Sequence, residues 1–179
     1  ALGDSAFASG NSSIAIGSAA VGTNPNYTAS TQALASGDFA IALGQSSKAT
    51  AVDAIAQGLS ATAQGADSIA MGTTATAATA GAIALGKNAV ASGAAAVPSV
   101  TYLQNWSGTL IRSAQVIVDG ATIALGTNSL ASGQTAAVAI ASNATATGET
   151  SIAIGGASYA SGRTGIAIGA GTLAVGDSA

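Results

Sequence analysis

Histidine and cysteine are both missing from this 179-residue chain, which removes imidazole bases, thiolate nucleophiles, disulfides and the usual transition-metal ligands together. What remains for chemistry is seven carboxylates, four basic side chains and a large supply of hydroxyls. Asp4, Asp38, Glu149 and Asp177 each follow a recurring small residue, usually glycine, by one position, and Asp53 and Asp67 follow one by two. Carboxylates so placed are read as solvated turn charges. Asp53 and Asp67 stand one fourteen-residue interval apart, so in stacked turns they would repel, and a cation would relieve that repulsion. Neither a third ligand nor a D-x-D-x-D-G calcium loop accompanies them, and no metal site is expected. The serines and threonines have no histidine to activate them and no lysine at a catalytic spacing, so no catalytic residue, no cofactor and no enzyme are expected. Asn11, Asn26, Asn105 and Asn143 open Asn-x-Ser/Thr sequences, a pattern that a chain rich in Ser and Thr meets by chance; they are read as turn residues. Lys48, Lys87, Arg112 and Arg163 are too few and too dispersed to neutralise a phosphate backbone, which makes nucleic acid an improbable partner.

The elements that position these groups are announced by glycine. Gly44, Gly58, Gly72 and Gly86 recur every fourteen residues, and each closes a short apolar run: Ile41-Ala42-Leu43, Ile55-Ala56-Gln57, Ile69-Ala70-Met71 and Ile83-Ala84-Leu85. Seven residues after each lies a second phase, held by Gly65 and Gly93 and by Ala51 and Thr79 in place of glycine. The runs before both phases alternate with the period of two that marks a strand, and a helical period fits neither. The unit is therefore a fourteen-residue coil of two strands and two turns, and self-similarity at a fixed period implies a solenoid. Composition agrees. Hydrophobic residues are 49% of the chain, more than half of them alanine, while aromatics are 3% and charged residues 6%. Burial must then come from close-packed small side chains rather than from a thick globular core.

Along the chain the register already runs at Leu2-Gly3 and still runs at Val175-Gly176, as expected of a piece of a longer array. A first irregularity lies at 23–32, where Pro25 cannot donate to a ladder and a loop is predicted. Pro98 ends the pattern a second time, and it resumes between Gly120 and Gly126. The expected organisation is β-roll repeats over 1–97, an inserted hairpin or meander over 98–118, and roll repeats again over 119–179. The insert holds the only Trp, Trp106, together with Tyr102 and Arg112; these three are the candidate ligand-binding residues, because aromatics and arginine concentrate binding energy at interfaces. The step from Gly133 to Ala141 is eight instead of seven and predicts a bulge or a longer turn. No apolar run approaches the roughly 20 residues of a membrane span, so no direct membrane insertion is expected of these residues.

Alternation assigns the faces. One face of both strands is small throughout, as in Ala61 and Ala63 or Ala82 and Ala84. The other face is mixed in the first strand, with Lys48, Thr62 and Gln64, and aliphatic in the second. Were the aliphatic and mixed faces opposed inside the coil, the polar groups would lack partners, at about 1–3 kcal/mol each. The small face is therefore interior, and a ladder of Ile, Leu and Met runs along the outside. Such a stripe is not left in water and is expected to be buried against copies of itself in a symmetric oligomer. Its members are Ile14, Ile16, Ile41, Leu43, Ile55, Ile69, Met71, Ile83, Leu85, Ile123, Leu125, Ile152, Ile154, Ile166 and Ile168.

Ser12-Ser13-Ile14-Ala15-Ile16-Gly17 and Ser151-Ile152-Ala153-Ile154-Gly155, with the sevenfold glycines, closely resemble the YadA-like head of trimeric autotransporter adhesins. The resemblance spans nearly the whole chain except 23–32 and 98–118. It implies a left-handed parallel β-roll, a homotrimer packed on the aliphatic ladder, and display on the bacterial cell surface and outer membrane. The partners it implies are host extracellular-matrix proteins or cell-surface receptors. Other readings fit less well. A structural spacer in a surface fibre would need no ligand. An acyltransferase-like left-handed β-helix counts in sixes and needs a histidine. An ice-binding solenoid would need unbroken Thr-x-Thr ranks, which Lys48/Thr50 and Val90/Ser92 interrupt.

Overall fold

The structure, a computed structural model, describes residues 1–3, 5–18, 32–93, 102–104, 110–112 and 122–179. The loop expected at 23–32 lies almost wholly outside the described residues. Those described are all-β and contain no helix, hence no helix long and apolar enough to cross a membrane.

Two parallel sheets carry the architecture. Three-residue strands such as Ile41–Leu43, Ile55–Gln57 and Ile69–Met71 stack into a nine-stranded sheet, and two-residue strands such as Lys48–Ala49 and Thr62–Ala63 stack into a ten-stranded one. In each sheet, strand pairs with its equivalent one coil away in strict register: Ile55 with Ile69, Ala56 with Ala70, Thr62 with Thr76. This is a parallel β-solenoid in which the inward ladder positions repeat alanine from coil to coil, a consequence of the fourteen-residue period.

The core lies between the sheets and is almost entirely alanine. Ala42, Ala56, Ala70 and Ala84 of one sheet and Ala49, Ala63, Ala77 and Ala91 of the other are all completely buried, so the small face is the interior. Among the described residues the wholly buried polar side chains sit just before strands, and the serines among them are hydrogen-bonded. Ser68 donates its hydroxyl to the Gly65 carbonyl at 2.6 Å, and Ser151 to that of Gly148 at 2.8 Å. Ser47, Ser129 and Ser158 do the same three residues back. The serine of the recurring Ser-Ile-Ala-Ile-Gly run is thus a clamp on the turn that precedes it, satisfying a buried hydroxyl locally.

Glycine is required where coils meet. Gly44 has φ +126°, and a Cβ there would sit 2.7 Å from the Gly58 carbonyl oxygen of the next coil. At Gly65 the same test gives 1.9 Å to the Thr79 oxygen. Each turn also bonds to the next coil: the Ser60 amide donates to Gln45 O and the Asp67 amide to Val52 O. The donors are residues in the left-handed region, Ser60 at φ 55° and Asp67 at φ 56°.

Ile14–Ile16 pairs directly with Ile41–Leu43, so the intervening 27-residue step is one coil. The eight-residue step is a turn one residue longer than usual at Gln134 to Ala136, after which Ile123 pairs with Val138 and Leu125 with Ile140. Ala141 then occupies a position held by glycine in the neighbouring coils, at φ 103°. Thr135 in that turn and Thr122, which begins the coil after 94–121, have buried hydroxyls without a partner among the described residues.

Candidate functional site

The aliphatic ladder is built by the geometry of the nine-stranded sheet. In a three-residue strand the central alanine points inward, so the first and third residues must point out. Exact stacking then aligns them in two continuous columns: Ile14, Ile41, Ile55, Ile69, Ile83, Ile123, Val138, Ile152, Ile166 and, beside it, Ile16, Leu43, Gln57, Met71, Leu85, Leu125, Ile140, Ile154, Ile168. All fifteen residues of the predicted ladder fall in these columns. Mid-array members other than Gln57 and Met71 are half-buried by their coil neighbours, whereas Ile14 and Ile168 are 46% and 65% exposed.

Two members of the columns escape a reading of the sequence by period. Val138 and Ile140 sit one residue out of phase because of the longer turn before them. The signal available was the local run Val138-Ala139-Ile140, which repeats the pattern of its neighbours once the count is restarted. Gln57 is the single polar side chain in either column, exposed between Leu43 and Met71.

The outward face of the ten-stranded sheet is chemically mixed. Its column reads Phe7, Leu34, Lys48, Thr62, Thr76, Val90, Leu130, Thr145, Tyr159 and Leu173. No comparable apolar stripe forms there.

Among the described residues the carboxylates lie in the turns. Arg163 meets Glu149 at 2.9 Å in an exposed ion pair, and its amide donates to the Asp177 carboxylate at 3.0 Å. Asp38 accepts from the Asn11 amide at 2.8 Å and from its side chain at 3.3 Å. Asp53 and Asp67 occupy equivalent left-handed turn positions in adjacent coils. Among the described residues no group of three His, Cys, Asp or Glu comes together as a metal site. On the opposite edge an asparagine ladder joins Thr74 to Asn88, Asn88 to Asn128 at 2.9 Å and Asn128 to Asn143 at 3.2 Å. These contacts bridge the 94–121 interruption and the coil with the extra residue, two of the three places where the period fails.

Of the predicted ligand-binding residues, Tyr102 and Arg112 are opposed across an antiparallel pair of strands, Tyr102–Gln104 and Leu110–Arg112. Trp106 lies outside the described residues. The coils on either side close up regardless, with Ile83 paired to Ile123 and Val90 to Leu130.

The family model described as YadA head domain repeat (2 copies) matches residues 1–20, 31–47, 35–61, 49–75, 63–89, 80–97 and 146–172, which together make up more than half of the chain. No curated protein matches it.

Proposed function

Since the chain belongs to the YadA head family of trimeric autotransporter adhesins, we propose that it works as a non-catalytic adhesive head. Three left-handed rolls pack about a threefold axis on the aliphatic columns, and the head is displayed on a bacterial surface to bind host extracellular matrix or a cell-surface receptor. The observation that carries this reading is the pair of outward columns, aliphatic through nine stacked strands with Gln57 as the one polar interruption. A stripe of that length on a soluble chain calls for a partner, and one repeated identically in every copy suits a symmetric oligomer.

In this reading residues 98–118 are an excursion, with Tyr102, Trp106 and Arg112 as the adhesive side chains. Gly93 and Thr122 hold the places that Gly65 and Ser68 hold in an ordinary coil, where only two residues intervene. Joining Gly93 to Thr122 by an Ala-Gly pair, as in Ala80-Gly81, should leave a trimeric roll of nearly unchanged melting temperature. Binding of intact and shortened heads to immobilised matrix proteins then tests the role. Loss of binding by the shortened trimer makes the excursion adhesive. Retained binding moves the ligand site to the mixed outer face around Lys48 and Thr62, and a head that binds no matrix protein or cell surface in either form is a spacer.

A further inference from the structure

The two edges of the roll, where the turns lie, differ in character. Every acidic side chain among the described residues, namely Asp38, Asp53, Asp67, Glu149 and Asp177, lies on the edge that leads into the nine-stranded sheet. The edge that leads out of it carries a single charged residue among those described, Lys87. Among the described residues, large apolar side chains are exposed in the turns at three places: Val52 at 48%, Leu59 at 46% and Phe39 at 58%. Scattered singly they would need no explanation, but their positions are related. Val52 and Leu59 flank the same strand, Ile55–Gln57, so they stand at one height on opposite edges. Phe39 lies on the Val52 edge one coil away, where the Asp53 amide donates to Asp38 O.

Within one chain Val52 and Leu59 cannot meet, since seven nearly extended residues place them roughly 20 Å apart. A cyclic trimer brings such edges together. Rotation about an axis parallel to the roll keeps every residue at its own height, and a heterologous ring sets one edge of each copy against the other edge of the next. We propose that Leu59 of each chain packs on Val52 and Phe39 of the neighbouring copy, forming three apolar clasps outside the aliphatic axis. The edge charges have the matching sense: Lys87 of one copy faces an edge whose nearest charged residue, one coil away, is Asp67. The inference rests on the trimeric reading above, and its test separates the two.

The chain has no cysteine, so the double variant Val52→Cys/Leu59→Cys reports this contact without background. Both substitutions lie in exposed turns and leave the alanine core untouched. After mild oxidation with copper phenanthroline in air, a non-reducing denaturing gel should show most of the chain as covalent trimers that reductant returns to monomers. Val52→Cys alone should give no linked species. A species of three chains in sedimentation that yields no linked product overturns the clasp and leaves the trimer standing. A single-chain species overturns the trimer itself. Linked dimers from Val52→Cys alone mean that like edges meet, which also overturns the clasp. As an independent readout, Leu59→Ala and Phe39→Ala should lower the melting temperature of the trimer less in combination than the sum of their separate effects; strict additivity counts against the contact.

Discussion

Placing two aspartates on the aliphatic columns asks directly whether those columns are solvent-facing or axial. Ile69 and Ile83 are register partners in adjacent strands, roughly 4.8 Å apart. In an isolated roll, Ile69→Asp with Ile83→Asp would cost about 1 kcal/mol per site in strand propensity. Mutual repulsion would add about 1 kcal/mol in water and up to about 3–4 kcal/mol at an effective dielectric near 20. In an axial trimer the same change puts six carboxylates into a dehydrated column, at several kcal/mol per ion, so on the order of 20 kcal/mol or more for the assembly. The expected result is dissociation or loss of folding, seen by sedimentation and by circular-dichroism melts at several protein concentrations. Thr62→Asp with Thr76→Asp is the matched control, because those residues are also register partners but point outward from the ten-stranded sheet. It carries the repulsion without the burial, and should remain trimeric with a modest fall in melting temperature. Burial raises a carboxyl pKa, so the assembled state of the isoleucine variant binds protons that the separated chains release; trimer should return as pH falls below about 4. Equal behaviour of the two double variants, or a concentration-independent single-chain species in the unaltered protein, would falsify the axial assignment.

Two further substitutions probe the roll itself. Ala63→Leu and Ala84→Leu, at positions with no exposed surface, should each cost at least the upper part of the usual 1–3 kcal/mol range for overpacking, roughly 3 kcal/mol, because no neighbouring side chain is larger than it must be. Thr62→Leu, on the outer face next door, should stay within about 0.5 kcal/mol; comparable melting temperatures for all three would mean that the interior yields. Ala141→Gly should raise stability by about 1 kcal/mol, since Ala141 is held at φ 103° where the neighbouring coils place glycine at φ 135° and 129°. A thermal melt should show an increase of a few degrees, and an unchanged or lower midpoint means that the extra residue at Gln134 to Ala136 has already relaxed the strain.

How far the sequence could be read follows from what a period records. Equal spacing makes stacked residues equivalent, so the alternation of Ala42, Ala56 and Ala70 with their aliphatic neighbours revealed the two sheets, their register and the inward face together. Where the count slips, equivalence is hidden: Val138 and Ile140 belong to the columns, and only the pairing with Ile123 and Leu125 shows it. The buried serines were legible as small and not as bonded, because the Gly65 or Gly148 carbonyl that each one clamps is a backbone group of no particular residue type. The edges were the least legible part. A strand sorts its residues onto two faces by parity, but turn residues such as Phe39, Val52 and Leu59 belong to neither face. Residues of every chemistry, from Ser60 to Phe39, occupy the left-handed turn position, so local propensity does not mark it. What makes these residues neighbours is the stacking of coils, and what would make Val52 and Leu59 neighbours is the stacking of chains. The information that specifies an adhesive or interchain surface in this fold therefore resides in the variation between repeats, at the positions that the repeat itself leaves free.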